Sequence, residues 1–171
     1  LYSNGLKNIP LIELFLVGSG FVLRTLSGGV ASSLEISPWF MISVGLISMF
    51  LVVEKRKEEL IISKKNKSIT RKVLYTYSYG LLQSYEILLA SCAFFTYALW
   101  ASGPLLNGAP SRWMILTVPL VLLGIFRYQF LSENSRNALK KNENFSFNLE
   151  EPEKVIFLDG YIRSIVIIWL I

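Results

Sequence analysis

Long apolar stretches alternate with short polar ones along most of this chain. Five apolar segments can be traced, at about residues 9–30, 37–53, 77–101, 113–131 and from about 161 onward. A helix needs about 20 mostly apolar residues to cross a bilayer, and the first four segments meet or approach that length. The second is short, which a locally thinned bilayer tolerates. The pattern predicts an all-α fold, a polytopic membrane helix bundle with about five transmembrane helices.

The ends of these segments carry residues that suit helix ends in a membrane. Ser37 is placed to cap the second segment, and Pro38 suits its first helical position. Tryptophans are enriched where a membrane meets water. The four tryptophans lie near segment ends: Trp39, Trp100, Trp113 and Trp169. These signals support the segment boundaries independently of hydropathy.

The composition agrees with a membrane protein and excludes several kinds of chemistry. The chain is 53% hydrophobic and only 17% charged, against about 25% charged in soluble domains. With no histidine and Cys92 as the single cysteine, histidine-activated nucleophiles, histidine-ligated zinc and a disulfide framework are excluded. We interpret the net charge of +5 as loop asymmetry, and we expect no nucleic-acid partner.

Basic residues are concentrated in alternate loops. The loops at 31–36 and 102–112 hold only Arg112, whereas the three other polar regions are rich in lysine and arginine. Positive charge marks the cytoplasmic side of membrane proteins. The alternation therefore places the three basic regions in the cytoplasm and supports the number of segments.

We single out three charged residues that lie inside or at the edge of apolar segments: Arg24, Glu86 and Arg127. A charge near the middle of a membrane costs at least about 2.5–3.5 kcal/mol, so it usually faces a bundle interior or a watery cavity. Arg24 and Arg127 allow two interpretations, either snorkelling or pairing with a carboxylate, or binding of an anion such as phosphate. For Glu86 we expect pairing with a neighbouring helix, not catalysis.

An unbroken block of charge, EKRKEE at 54–59, follows the second apolar segment. If the helix continues, Lys55 and Glu59 share one face, and Arg56 lies beside it. Such a face could hold a polyphosphate and a magnesium ion. The alternative is a solvated helix end, and the block alone leaves both open. The predicted topology brings further polar residues to the same level: Tyr2, Lys7, Arg127, Tyr128 and Asp159.

Six stretches occur in an order found in one group of enzymes. They are YSNGLKN (2–8), GFVLRTLSGGVA (20–31), SPWF (37–40), EKRKEEL (54–60), GIFRYQFL (124–131) and EEPEKVIFLDGYIR (150–163). As a set they resemble decaprenyl-phosphate phosphoribosyltransferases, which belong to the UbiA-type prenyltransferase superfamily. The resemblance covers nearly the whole chain. It implies Mg²⁺-dependent transfer of 5-phosphoribose from phosphoribosyl diphosphate to a polyprenyl phosphate, with release of diphosphate.

The resemblance also implies that residues 1–171 are the C-terminal part of one nine-helix transmembrane domain. The family's first motif, NDxxDxxxD, which supplies the main Mg²⁺ carboxylates, is absent from this sequence. The first four helices or so are absent with it. We therefore expect the 171 residues alone to be inactive.

The resemblance assigns roles residue by residue. It implies catalytic roles for Lys7, Lys55, Arg56 and Glu59, with Glu59 also as a metal ligand. It implies substrate-binding roles for Tyr2, Arg24, Arg127, Tyr128 and Asp159. Glu54, Lys57 and Glu58 are then expected to be solvated neighbours of the site. We expect a bacterial plasma-membrane protein with its active site facing the cytoplasm, and a homo-oligomer is left open.

Two other functions remain open at this point. One is a UbiA-type transferase with a prenyl diphosphate donor and an aromatic or other acceptor. The other is a non-catalytic polytopic membrane protein, whose basic loop would contact anionic lipid.

Overall fold

The computed structural model describes residues 9–66, 74, 76–103, 108–141 and 159–170. Its helices are α1 (Ile12–Ala31), α2 (Pro38–Asn66), α3 (Tyr79–Ala101), α4 (Val118–Lys141) and α5 (Gly160–Leu170), and a 3₁₀ helix (Arg112–Thr117) leads into α4. These ranges contain no strand. The predicted all-α fold is confirmed. Tyr2 and Lys7 lie outside the described residues.

Most of the predicted segments are membrane-type helices. Four stretches are long and apolar enough to cross a membrane, and a fifth is apolar but shorter. The four are Ile12–Ala31, Pro38–Ser63, Tyr79–Ala101 and Arg112–Asn137, and the shorter one is Gly160–Trp169. This agrees with the prediction of a polytopic helix bundle. Which side of the membrane each end faces stays a prediction.

Helix α2 continues well past the apolar segment predicted to end at residue 53. It has 29 residues and runs through the charged block to Asn66. Glutamate, lysine and arginine are good helix formers, so the change from apolar to charged residues does not end the helix. The charged block is therefore part of one continuous helix. The 3.6-residue turn of that helix decides which of its side chains share a face.

Helices α1 and α2 are antiparallel neighbours. A Cβ added at Gly18 would lie 2.8 Å from Met49 Cγ, and one at Gly29 would collide with the side chain of Ile36. Gly18 lets the two helices approach closely, as small residues do in membrane bundles. Gly29 instead makes room for Ile36, which lies in the connection between the helices. At Gly20 and Gly28 a Cβ would meet no atom within 4 Å.

Helices α3 and α4 pack against α2 in opposite directions. Phe40 at the start of α2 contacts Trp100 at the end of α3, with ring centroids 5.1 Å apart. At the opposite end, Lys57 of α2 forms an ion pair with Glu86 of α3. We call these two ends the aromatic end and the charged end of the bundle. Helix α4 runs parallel to α2, since Phe50 packs on Tyr128 and Glu54 contacts Ser132 one turn further along each helix.

The bundle buries charge and exposes apolar side chains. Eight charged residues are buried among those that the structure describes. They are Glu13, Glu54, Arg56, Lys57, Glu58, Glu86, Arg136 and Asp159. Large apolar side chains such as Phe15, Leu88 and Phe95 are more than half exposed. This arrangement suits a bundle whose outer surface contacts lipid.

Candidate functional site

The charged block of α2 is buried because the ends of three other helices pack around it. α1 supplies Glu13, α3 supplies Glu86, and α4 supplies Arg136. We call the following side chains the charged cluster: Glu13, Glu54, Arg56, Lys57, Glu59, Glu86 and Arg136. A buried charge is tolerated when it is paired and hydrogen-bonded, and each member of this cluster has an ionic partner.

Arg56 joins α1 to α2. Its Nε lies 2.7 Å from Oε1 of Glu13, and the two side chains are 3% and 0% exposed. Its Nη1 donates to Glu59, which is one turn further along α2. A guanidinium with two carboxylate partners is held in one orientation, since its donors form a planar fork. Arg56 is therefore fixed between Glu13 and Glu59.

Glu54 joins α2 to α4. Its Oε2 accepts from Nη1 of Arg136 at 2.6 Å and from the hydroxyl of Ser132. Its Oε1 accepts from Lys57 Nζ at 3.2 Å. Arg136 itself is 2% exposed, and its Nη2 also contacts the half-exposed Glu133 at 2.9 Å. The carboxylate of Glu54 thus receives charge-assisted hydrogen bonds on both oxygens.

Lys57 extends the cluster to α3. Its ammonium donates to Glu86, whose other oxygen accepts from Nε2 of Gln129 on α4 at 2.9 Å. The same ammonium lies 5.5 Å from the ring centroid of Tyr79, within the range of a cation–π contact. The pairing expected for Glu86 with a neighbouring helix is confirmed. Three helices, α2, α3 and α4, are tied together at this level.

An apolar cavity of about 360 Å³ lies between α2, α3, α4 and α5. Side chains at helical spacing form its walls on each helix, which is the pattern of one helix face. On α2 they are Phe40, Ser43, Val44, Ile47, Phe50 and Leu51; on α3 they are Ala90, Ala93 and Tyr97. On α4 they are Leu120, Val121, Gly124, Ile125 and Tyr128; on α5 they are Ile162, Ile165, Val166 and Trp169.

The cavity ends next to the charged cluster. Phe50 and Tyr128 line its end, and Glu54 and Ser132 follow them by four residues on the same two helices. Four residues are about 6 Å along a helix. An apolar space and a group of buried charges are therefore adjacent along one axis of the bundle.

A second ionic pair lies where α5 begins. Arg127 contacts Asp159 through two donors, Nε to Oδ1 at 3.3 Å and Nη2 to Oδ2 at 2.8 Å. Asp159 also accepts from the backbone N–H of Ile162 at 2.9 Å and so caps α5. The hydrogen bond from Arg127 lowers the pKa of Asp159 below its usual value, and the bond from Ile162 adds to this. The guanidinium lies 4.6 Å from the ring centroid of Tyr161.

No family model matches the chain. A decaprenyl-phosphate phosphoribosyltransferase of Corynebacterium glutamicum is 35% identical over 99 residues, which are 58% of this chain and 30% of that protein. The enzyme of that name from Mycobacterium tuberculosis is 25% identical over 169 residues, 99% of this chain and 51% of that protein. The one from Mycolicibacterium smegmatis is 25% identical over 176 residues, 99% of this chain and 52% of that protein.

This chain is similar to decaprenyl-phosphate phosphoribosyltransferases. The resemblance that the six sequence stretches indicate is confirmed, and the similarity to the mycobacterial enzymes covers nearly all of this chain. The chain spans about half the length of those curated relatives.

The residues matched to motifs of decaprenyl-phosphate phosphoribosyltransferases lie at three different sites: the charged cluster, the cavity and the start of α5. Arg56 and Glu59 lie in the charged cluster, and Lys55 is half-buried beside them. Tyr128 lines the cavity, and Arg127 pairs with Asp159. The pairing of Arg127 with a carboxylate was one of its two predicted roles.

Arg24 lies apart from the other matched residues. It is exposed, and its guanidinium lies over Phe21, 5.5 Å from the ring centroid. It follows Glu13 by eleven residues on α1, which is about 16 Å along the helix. The structure therefore places Arg24 toward the other end of α1, away from the charged cluster.

The expectation that Glu54, Lys57 and Glu58 are solvated is wrong. Their side chains are 3%, 1% and 3% exposed. The physical reason is that α3 and α4 pack beside α2 at this level, where Glu86 of α3 contacts Lys57 and Arg136 of α4 contacts Glu54. Sequence reasoning also missed Glu13 and Arg136. The signal for Glu13 was present, because it is a lone carboxylate inside an apolar segment.

The described residues do not by themselves form a magnesium site. No group of three or more aspartate, glutamate, cysteine or histidine side chains in the described ranges could hold a metal ion. The carboxylates that come together are each bound by a cation: Glu59 by Arg56, Glu54 by Arg136, and Glu86 by Lys57. The role of Glu59 as a metal ligand and the dependence on Mg²⁺ stay predictions.

Proposed function

We propose that this chain forms the acceptor-binding part of a transferase that moves 5-phosphoribose from phosphoribosyl diphosphate to a polyprenyl phosphate. The observation that carries the proposal is the apolar cavity that ends about one helical turn from the charged cluster. A polyprenyl phosphate has the same two parts, a long apolar chain and an anionic head. The names of the similar enzymes refer to a decaprenyl phosphate and to phosphoribosyl transfer.

The cavity suits the hydrocarbon part of this lipid. Apart from Ser43, Gly124 and three aromatic side chains with polar tips, Tyr97, Tyr128 and Trp169, the wall residues are aliphatic or aromatic. A small ligand site usually has a volume of about 300–1,000 Å³, so 360 Å³ accommodates one segment of the chain. Burial of that segment would contribute about 0.8 kcal/mol per CH₂ group relative to water.

Two cations near the charged end of the cavity, Lys55 and Arg127, are suited to phosphate groups. Lys55 is half-buried beside the charged cluster, and a lysine ammonium binds phosphate as a point charge. The side chain of Arg127 is 29% exposed, and its pair with Asp159 uses two of the five N–H donors of a guanidinium. We assign Lys55 to the phosphates of the donor and Arg127 to the phosphate of the lipid.

The reaction that we propose needs charge neutralisation more than proton transfer. The bond between the ribose anomeric carbon and the diphosphate oxygen breaks, and its electron pair leaves with the diphosphate. A new bond forms between that carbon and an oxygen of the lipid phosphate. The lipid phosphate is already anionic, so no strong base is needed, which fits a chain without histidine. Lys55 would neutralise the leaving diphosphate, and Arg127 would hold the acceptor against its repulsion.

The experiment uses the full-length protein, purified and reconstituted in lipid nanodiscs. Labelled phosphoribosyl diphosphate is supplied with decaprenyl phosphate, and transfer to the lipid is measured. In parallel, a prenyl diphosphate is supplied with an aromatic acceptor. We expect labelled lipid in the first reaction and no product in the second. Product only in the second reaction identifies the prenyltransferase alternative, and no product in either contradicts the proposal.

A glycine in the cavity wall allows a sharper test of where the acceptor binds. Gly124 lines the cavity, and a Cβ there would meet no atom within 4 Å, so Gly124→Leu is expected to fill part of the cavity. Leucine is also a better helix former than glycine by nearly 1 kcal/mol, so the fold is preserved. We expect a KM for decaprenyl phosphate that is at least about tenfold higher, equivalent to about 1.4 kcal/mol.

The matched control is Gly20→Leu in α1. A Cβ there also meets no atom within 4 Å, and Gly20 does not line the cavity. We expect its KM to equal that of the unmodified protein. An unchanged KM in Gly124→Leu would remove the cavity from the acceptor site.

A further inference from the structure

Three polar side chains meet at the aromatic end of the cavity. Nε1 of Trp169 on α5 donates to the hydroxyl of Tyr97 on α3 at 2.6 Å. The Tyr97 hydroxyl lies 2.6 Å from Oγ1 of Thr117, the last residue of the 3₁₀ helix. Oγ1 of Thr117 in turn donates to the carbonyl oxygen of Met114 at 2.5 Å. We call Tyr97, Thr117 and Trp169 the aromatic-end triad.

The hydrogen bonds of the triad run in one direction. Thr117 uses its proton on Met114, so its oxygen accepts from Tyr97, and the Tyr97 oxygen accepts from Trp169. Each donor therefore has an acceptor, and the chain of bonds ends at a backbone carbonyl. Buried tyrosine and tryptophan polar groups normally require such partners. The bonds fix the ring positions of Tyr97 and Trp169.

Neighbouring rings hold the triad in place. Tyr97 is 4% exposed, and its ring lies 5.4 Å from that of Trp100. Trp100 contacts Phe40 of α2 at 5.1 Å. Three of the four helices that form the cavity wall, α2, α3 and α5, are thus joined by aromatic contacts at this level. Phe40, Tyr97 and Trp169 all line the cavity.

The position of these rings gives the cavity a defined length. On α2 the wall runs from Phe40 to Leu51, eleven residues or about 16 Å along the helix axis. The charged cluster adjoins the Leu51 end, and the triad lies at the Phe40 end. A lipid whose phosphate is bound at the charged end would extend its chain toward Tyr97 and Trp169.

We propose that Tyr97 and Trp169 set how much of an isoprenoid chain the cavity accepts. The inference rests on the proposed function in one respect, that the occupant is the chain of a polyprenyl phosphate. Its physical basis is that two hydrogen-bonded rings cannot move apart as easily as aliphatic side chains. The part of an isoprenoid chain that extends beyond the rings of Tyr97 and Trp169 is then not buried in the cavity.

The experiment measures binding, which does not depend on transfer. Farnesyl phosphate, geranylgeranyl phosphate and decaprenyl phosphate compete with a labelled farnesyl phosphate for the full-length protein in nanodiscs. In the unmodified protein we expect geranylgeranyl phosphate to bind more tightly than farnesyl phosphate, and decaprenyl phosphate to bind about as tightly as geranylgeranyl phosphate. In Trp169→Ala the ratio of affinities for decaprenyl and farnesyl phosphate should rise by at least about tenfold, since added CH₂ groups are then buried.

Two further variants keep the test decisive. Tyr97→Phe retains the ring and removes the hydroxyl, so it tests the hydrogen bonds alone, and we expect a smaller rise in the same ratio. Trp113→Ala is the matched control, because Trp113 is 78% exposed and does not line the cavity. Its ratio should equal that of the unmodified protein.

The outcomes separate this inference from the proposed function. If both Trp169→Ala and Tyr97→Phe leave the ratio unchanged, the inference is wrong even where phosphoribosyl transfer occurs. If the ratio rises but no phosphoribosyl transfer is found, the chain-length role stands and the proposed reaction fails. If Trp169→Ala does not fold, an unchanged ratio in Tyr97→Phe overturns the inference, and a raised ratio supports it.

Discussion

Glu13 and Arg56 form a buried ion pair between α1 and α2, with Oε1 and Nε 2.7 Å apart. One partner lies in the first turn of an apolar helix, and the other lies inside a block of charge. Burial of two charges is costly, and their attraction offsets this cost only when the geometry is good. Removal of one partner leaves the other charge buried, which is the basis of the first prediction.

The pair should be energetically coupled. We expect Glu13→Gln and Arg56→Gln each to lower the thermal unfolding temperature of the full-length protein in detergent. The double variant should be less destabilised than the sum of the two, by about 0.5–3 kcal/mol. Thermal unfolding of all four proteins in one detergent measures this. Strictly additive effects would show that the pair contributes no coupling.

Lys55 and Arg56 should respond differently to truncation. We expect Lys55→Ala to lower phosphoribosyl transfer by more than tenfold with a smaller loss of unfolding temperature than Arg56→Ala, since Lys55 is half-buried and Arg56 is almost fully buried. Arg56→Ala should lower transfer by more than tenfold and also lower the unfolding temperature, because Glu13 and Glu59 lose their partner. Transfer rates and thermal unfolding are measured on the same preparations. Normal turnover in Lys55→Ala would remove it from the site.

Arg136 should be a structural residue of the charged cluster. Arg136→Met removes the guanidinium that binds Glu54, and breaking one side of a buried pair typically costs about 3–5 kcal/mol. The matched control is Arg163→Met on α5, where the side chain is exposed. We expect a large loss of unfolding temperature for the first variant and almost none for the second. Equal unfolding temperatures would show that Glu54 finds sufficient compensation in Lys57 and Ser132.

The pair of Arg127 and Asp159 should make the junction of α4 and α5 sensitive to acid. The pKa of Asp159 in the fold is lowered by Arg127, so the fold favours the ionised carboxylate. Its contribution to stability is therefore complete above the ordinary aspartate pKa of about 3.9 and is lost as the pH falls through the lower, folded pKa. We expect the stability difference between the unmodified protein and Asp159→Asn to be constant near neutral pH and to shrink below about pH 4. Thermal unfolding as a function of pH measures it, and a difference that stays constant down to pH 3 contradicts the assignment.

The number and kind of the helices could be predicted from the chain because each depends on local pattern. Apolar segments of sufficient length predict spans, and a residue such as Pro38 marks where a helix begins. The end of α2 could not be predicted from hydropathy. The residues after Val53 favour helix as strongly as the apolar ones, so the helix continues to Asn66.

Most of the ion-pair partners could be identified only from the tertiary structure. Lys57 and Glu54 lie three residues apart and share a face by helix geometry, so their contact follows from the sequence. Glu86 is 29 residues from Lys57, and Arg136 is 82 residues from Glu54. Contacts over these separations depend on how far α3 and α4 extend beside α2 and on which face each helix presents. The pattern of residues is enough to predict an apolar helix bundle with charge at one end. Helix packing buries that charge and sets which carboxylate neutralises which cation.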